Sequence, residues 1–447
     1  MVRSITCFTL ACVLTTAIAT QLRANEPPTS EETSEGEFTV HEWGTFTTFS
    51  GSDGVFLDFR PLDVEHHDLP DYVFDRGSLS SNPLRYIGKR KLRGRVRMET
   101  PVTYFYTDRH RTVDVRVEFP EGMLTEFYPP VREVLPAIDE QNIFGEGESI
   151  GKSSLNWGKI DLLPTSELVP NVTDADLRQN LTASIIHALV PHAPNEQHYA
   201  SARETDSALV HYRDKPNSPS YFEKFLFYRG VGKFQLPIKT QFEGDRPVLR
   251  NLGVLPIRSA IMVDVRGDTI QAMRIHEIGA GQSLPFDQLK VITRDQLAEM
   301  VRESLVAEGL YEKEAAAMVA TWQQSWFTEN GTRVLYMVPG KTADELLPLH
   351  INPKPKQMLR VLVGRMEIMP PTSEQEMTKL VAASITARSQ HATYQRNRSP
   401  QTLYPIPKAI ATFGRMAEPA LARIAKLAND ASIRNEAELL ISELQQR

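Results

Sequence analysis

The chain has 447 residues, with 50 Lys plus Arg against 56 Asp plus Glu and a formal net charge of −6; 41% of it is hydrophobic and 24% charged. This mild acidity argues against a general nucleic-acid binder, and the ordinary hydrophobic content excludes a wholly disordered chain. The length predicts two or three domains at roughly 150 residues each.

Arg3 is the only charge before an apolar and small-residue run from Ile5 to Ala19, which ends in Ala17-Ile18-Ala19. That is the layout of a secretory signal peptide over residues 1–19. The run is too short for a membrane span of about 20 apolar residues, and no later segment is long enough either. Thr9-Leu10-Ala11-Cys12 offers an alternative lipoprotein-type cut, and Ala24 a later one. Cys7 and Cys12 both lie in this segment, so the mature chain is expected to carry no thiol, disulfide or thiolate metal site. A secreted or periplasmic location follows, and a chain of this size can build a core without disulfides. Residues 20–37 read as an acidic linker. From Asn25 on it holds Glu26, Glu31, Glu32, Glu35 and Glu37 with no basic residue, too polar to offset its ordering entropy.

Strand chemistry dominates residues 38–292. Phe38 to Phe49 is rich in Thr, Phe, Val and Trp and stops at Gly51-Ser-Asp-Gly54, a strand followed by a turn. Val96 to Tyr106 and Val113 to Phe119 are expected to pair as a hairpin across the polar loop Thr107 to Arg111. In the second arm Val113, Val115, Val117 and Phe119 alternate with Asp114, Arg116 and Glu118, a period of two with one wet face. Further strands are expected over Leu226 to Pro237 and Ser259 to Ile278, with a turn at Gly267-Asp268.

The periodicity changes at Thr293. Thr293-Arg-Asp-Gln296 is a capping box, and Leu297, Met300, Val301 and Leu305 then share a helical face until Gly309. A second helix is expected from about Tyr311 to Phe327, then strands at Arg333 to Val338 and Leu359 to Ile368. Residues 293–369 thus read as an α+β module. Pro370-Pro371 opens a helical segment, 370–447, with helices at Glu374 to Gln390, Pro407 to Met416, Glu418 to Ala428 and Ser432 to Gln446. Phe413 to Ile424 resembles one HEAT-type repeat. Such repeats work by stacking, so the tail is expected to dock as a helix pair. The expected fold is α+β: a β-rich, sandwich-like body, an α+β module and C-terminal HEAT-like helices.

Three clusters could carry chemistry. His187, His192, His198 and His211 lie close in sequence, and His41-Glu42 and His66-His67 beside Glu65 and Asp68 add more nitrogen and oxygen ligands. Such sets suit a divalent transition metal, although none has the His-Glu-x-x-His spacing; scattered surface histidines are the plainer reading. The string His198 to Asp206 offers a general base in His198, an anion clamp in Arg203 and carboxylates in Glu204 and Asp206, or else an ion-pair network tying down a loop. The basic run Lys89, Arg90, Lys91, Arg93, Arg95 and Arg97 contains no acid. On a strand Arg93, Arg95 and Arg97 would share a face and could hold an anionic polysaccharide bidentately; alternatively they pair across the sheet with Asp114 and Glu118. Trp157, in Asn156-Trp-Gly158, has the loop context of a sugar platform. Trp322 and Trp326, four apart on an apolar face, read as core. No Gly-x-Ser-x-Gly elbow or phosphate-binding glycine loop is present.

Val40-His-Glu-Trp-Gly-Thr-Phe-Thr47 resembles the opening of a family of uncharacterised secreted bacterial proteins, and Arg97-Met-Glu-Thr-Pro-Val102 and Gly309 to Met369 fit the same resemblance. It implies the compartment and a single-chain architecture, and no activity. The leading expectation is a binder of an anionic or carbohydrate polymer of the envelope, using Arg93, Arg95, Arg97 and Trp157, with no nucleic-acid partner. The rivals are a metal-assisted hydrolase using His187, His192, His198 and Glu204, and an interaction protein docking through its C-terminal helices.

Overall fold

A computed structural model describes residues 37–59, 73–76, 94–136, 151–165, 199–395 and 408–444. Its strands, in chain order, are β1 (Phe38–Ser50), β2 (Phe74–Asp75), β3 (Val96–Thr107), β4 (Arg111–Phe119), β5 (Gly122–Tyr128), β6 (Glu133–Leu135), β7 (Ser153–Leu163), β8 (Leu209–Tyr212), β9 (Tyr221–Glu223), β10 (Leu226–Gly232), β11 (Ile238–Glu243), β12 (Arg246–Asn251), β13 (Ala260–Arg266), β14 (Thr269–Ile275), β15 (Ser283–Pro285), β16 (Lys290–Ile292), β17 (Gly331–Val338), β18 (Leu349–Asn352) and β19 (Gln357–Ile368). The helices are α1 (Arg294–Ala307), α2 (Glu312–Phe327), α3 (Gly340–Leu346), α4 (Pro371–Gln395), α5 (Lys408–Ala411), α6 (Ala417–Leu427) and α7 (Ala431–Leu444). The fold is mixed α+β with strands dominant. No described helix is long and apolar enough to cross a membrane.

The centre is an open ten-stranded sheet in the order β16-β14-β13-β17-β19-β1-β3-β10-β5-β2. β1 runs parallel to β19 and antiparallel to β3. Strands from either side of residue 293 therefore lie side by side, and the boundary drawn there does not mark a break in the sheet. A six-stranded sheet (β18-β4-β7-β8-β9, with β6 on β7) and a three-stranded sheet (β11-β12-β15) complete the strands.

Strand parity divides the core in two. On one face of the central sheet, Val40, Phe46, Met262, Tyr336 and Met366 pack with Val113, Val115, Val117 and Trp157 of the six-stranded sheet. On the other, Trp43, Val263, Leu335 and Val363 pack with Leu297, Val301, Met318 and Trp326 of α1 and α2. Gly364 makes room for the ring of its cross-strand partner Tyr336, from which a Cβ there would lie 2.1 Å.

The hairpin expected between Val96–Tyr106 and Val113–Phe119 is corrected. β3 pairs with β1 and β10, whereas β4 pairs with β7 and β18. The reason lies in their patterning. β3 buries both faces, as a central strand must. β4 leaves Asp114 exposed and its Arg116–Glu118 pair half-exposed, as an outer strand can. The turn at Gly267-Asp268 does join β13 to β14, with Gly267 at φ +58°. The Thr293–Gln296 capping box closes reciprocally, at 2.9 and 3.1 Å, and Gly309 (φ +107°) ends α1.

The C-terminal helices form a third cluster. Met377 and Val381 of α4 pack with Leu421 and Ile424 of α6 and with Ala437 and Leu440 of α7. Ion pairs tie this cluster to the sheet. Arg423 lies 3.1 Å from Asp53 and 3.0 Å from Glu374.

Candidate functional site

A polar cavity lies where the C-terminal segment meets the end of the central sheet. Its volume is about 700 Å³. Its walls come from the end of β13 (Arg266), the α2–β17 connection (Glu329), β17 (Arg333), the end of β19 (Glu367), the start of α4 (Glu376) and residues 412–416 (Phe413, Arg415).

Odd-numbered positions of β1, β17 and β19 share the face that α1 and α2 cover farther along. Near the cavity those positions change from apolar to charged. Thr47 registers with both Arg97 and Arg365, and Glu367 with Arg333, so their side chains form adjacent rungs. A bulge in β3 opposite Gly44 shifts the register between Trp43 and Thr45 and re-aims Glu99 onto this face. A Cβ at Gly44 would sit 2.9 Å from the Pro101 Cα, so the bulge requires glycine there.

The result is a continuous ladder. Arg97 reaches Glu99 at 3.0 Å, and Glu99 is also 3.2 Å from Arg415. Arg365 bridges Glu329 at 2.8 Å and Glu367 at 2.6 Å, and Arg333 holds Glu367 at 2.8 Å. Arg333 also donates to the carbonyls of Trp326 and Glu329 at 2.7 and 2.8 Å. Four guanidiniums thus face three carboxylates, and the buried Nη1 of Arg365 has no hydrogen-bond partner among the described residues. Burial pushes the Glu99 carboxyl up, but Arg97, Arg415 and Arg365, with a hydrogen bond from Thr47, overcome it and hold the group far below the usual range. Glu367 is likewise held down against burial by Arg333 and Arg365. Both are therefore ionised acceptors at neutral pH and cannot serve as general acids.

The residues singled out from sequence fare unevenly. Trp157 is not in a loop. It sits in β7, fully buried, and its indole N–H donates to the Pro129 carbonyl at 3.0 Å; a buried ring cannot stack on a polymer. Arg97 is buried within the ladder, and Arg95 points outward to Asp58 at 2.9 Å. Glu118 is instead paired with Arg116 of its own strand, at 3.1 Å, and Arg93 with Lys89 to Lys91 lies outside the described residues. His41 and Glu42 do not form one cluster, because successive strand residues face opposite ways. His41 binds Glu314 at 2.8 Å, whereas Glu42 meets Arg360 at 2.6 Å and accepts a hydrogen bond from Thr103 at 3.0 Å.

His187, His192, His198, His66 and His67 also lie outside the described residues. His211 stands 3.5 Å from Asp161, stacked on Phe222 at 4.6 Å. Among the described residues no three His, Cys, Asp or Glu side chains converge on a point that would hold a metal ion. Arg203 does not stand open as an anion clamp; it is buried, with its guanidinium 2.7 Å from Glu223. Glu204 is exposed, and Asp206 is exposed and paired with Lys313 at 2.6 Å. Trp322 and Trp326 are core, with rings 6.0 Å apart.

Sequence reasoning missed the ladder. Its signal was present as Arg365 and Glu367 in alternate positions near the end of a strand whose stretch from Val361 on is otherwise apolar, where a charge survives burial only when paired.

No protein-family model matches the chain, and comparison with curated protein sequences returns no match. Among solved structures, the Fcho1 mu-homology domain of Danio rerio with bound Eps15 peptide aligns at 6% identity and a TM-score of 0.24, covering 74% of this chain and 96% of that one. The yeast delta-COP-I mu-homology domain aligns at 8% identity and a TM-score of 0.24, covering 75% and 96%. Similarity at that level supports no argument about fold, ligand or partner.

Proposed function

We infer that the protein is a secreted or periplasmic binding protein whose cleft between the central sheet and the C-terminal segment takes an acidic saccharide of an envelope or environmental polymer. The observation that carries this reading is the ladder, with four fixed guanidiniums against three fixed carboxylates, behind and along a cavity of about 700 Å³. Such a wall offers donors and acceptors at set positions, which suits sugar hydroxyls, and its guanidinium excess suits a uronic-acid or sulfate group. The half-buried Phe413 ring adds an apolar surface for a sugar face. The ionised state of Glu99 and Glu367 favours binding over acid-catalysed hydrolysis. The anionic-polymer expectation thus persists, with the site moved from Trp157 and the Arg95 surface to the cleft. The finer architecture in this reading is a sandwich-like body carrying a lone HEAT-type helix pair.

The test is affinity electrophoresis through gels holding alginate, dextran sulfate or neutral dextran. Retardation by the acidic polymers is expected for the wild type and for Arg95→Ala. It is expected to be lost in an Arg266→Ala/Phe413→Ala variant, which alters the cleft rim and spares the buried ladder. Equal retardation of wild type and the double variant would sink the cleft reading.

A further inference from the structure

Seven glutamates are buried among the described residues: Glu42, Glu99, Glu126, Glu223, Glu314, Glu367 and Glu436. Six have an arginine partner, namely Arg360, Arg97, Arg229, Arg203, Arg333 and Arg388. Glu314, in the first turn of α2, has none. Its Oε1 accepts from the Tyr106 hydroxyl at 2.8 Å, and its Oε2 lies 2.8 Å from both the Tyr311 backbone N–H and His41 Nδ1. Both carboxylate oxygens of Glu314 are thus engaged, by a tyrosine hydroxyl, a backbone amide and an imidazole nitrogen. Glu314 therefore differs from the other six in meeting an imidazole, a hydroxyl and a backbone amide in place of a guanidinium, so less of its field is cancelled by a fixed cation.

Two tyrosine rings stand in front of that charge. Tyr106 and Tyr311 meet edge to face at 5.0 Å, and His41 lies against Tyr311 at 4.5 Å. Both tyrosines line a cavity of about 350 Å³ whose rim carries the carboxylates of Asp206 and Glu37. The Tyr106 hydroxyl donates directly to Glu314, which enriches its ring in electron density; burial and Glu314 together push that hydroxyl well above its ordinary range. Two cations stand beside the cavity and are already engaged: Lys313 is exposed and pairs with Asp206 at 2.6 Å, and Arg111 donates to the Thr107 hydroxyl at 2.8 Å.

We propose that this cavity is a binding site for an organic ammonium ion, seated against the Tyr106 and Tyr311 rings with Glu314 behind them and Asp206 and Glu37 at the mouth. Ring faces attract such cations, and desolvation strengthens the attraction. A metal ion is a poor fit, since no three carboxylate or imidazole groups converge among the described residues. This site is independent of the saccharide cleft and shares no lining residue with it.

The probe is choline, titrated into the whole protein by calorimetry and ligand-observed NMR at about pH 8, above the ordinary imidazole range. The control is its neutral isostere 3,3-dimethyl-1-butanol, which has the same shape without the charge. Saturable choline binding with none of the isostere is expected. Tyr311→Leu, at a half-exposed position that leaves the core intact, is expected to weaken choline roughly tenfold or more. Tyr106→Phe keeps the ring and is expected to retain binding within about threefold. Two results overturn the proposal: choline and the isostere behaving alike, or wild type and Tyr311→Leu binding choline equally.

Discussion

Glu367 and Glu314 are both buried carboxylates on the same face of one sheet system, yet their charges are treated in opposite ways. Glu367 lies between two guanidiniums, at 2.8 Å from Arg333 and 2.6 Å from Arg365. Glu314 is held by a tyrosine, a histidine and a backbone amide. A charge balanced by fixed partners becomes part of the scaffold, and the neighbouring space inherits a set pattern of donors and acceptors. A carboxylate that meets an imidazole, a hydroxyl and an amide in place of guanidiniums leaves more of its field to whatever occupies the adjoining cavity.

The strongest test of that contrast is mutational. Glu367→Gln strips the partner from two buried guanidiniums and is expected to cost about 3–5 kcal/mol in urea unfolding. Glu314→Gln strips no guanidinium of its partner and is expected to cost about 1–3 kcal/mol. A Glu314→Gln cost equal to that of Glu367→Gln would break the comparison.

Acid should act on the ladder next. Glu99 and Glu367 have folded values held below the ordinary carboxylate value of 4.5. Their contribution to stability is complete above that value and is lost as pH falls through it toward the folded values. Unfolding free energy should therefore fall from about pH 5 to about pH 3, and Glu99→Gln should flatten that fall.

Lys224 behaves conversely. It is buried, donates to the Ser207 carbonyl at 2.8 Å, and burial pushes its ammonium down to about 8 from 10.5. Between those values the unfolded chain holds a proton that the folded chain has released, so stability should rise with pH across that window. Lys224→Met should remove the rise and stabilise the protein at neutral pH by about 2 kcal/mol; an unchanged pH slope in the variant contradicts the assignment.

The smallest stability effects should come from the two ligand-facing aromatics. Phe413→Ala and Tyr311→Leu are each expected to change stability by under about 1 kcal/mol. Their effects should appear in binding, with Phe413→Ala alone altering acidic polysaccharide retention and Tyr311→Leu alone altering choline binding. Crossed effects would mean that the two cavities are not separate sites.

Local patterning settled those features that depend on neighbours in sequence. The Thr293 capping box, the Gly309 stop, the turn at Gly267 and the helix bearing Trp322 and Trp326 all follow from residues within a few positions of one another. Alternation in β4 identified its wet and dry faces, and that much was legible. Which strand β4 would pair with was not, because pairing brings together β4, β7 and β18 from distant parts of the chain. The sites were less legible still. Asn156-Trp157-Gly158 had loop chemistry, but a register shift in β7 absorbed it and the ring turned into the core. Glu99 meets Arg415 across 316 positions, and His41 meets Glu314 across 273. Whether a buried carboxylate receives a guanidinium or a histidine depends on which elements the sheet order sets side by side. The sequence by itself determined the composition, the local elements and the faces they would bury, since these rest on short-range sterics and hydrophobic periodicity. Only the tertiary structure decided which charges are neutralised and which remain open, because electrostatic partnership depends on distances of about 3 Å between residues hundreds of positions apart.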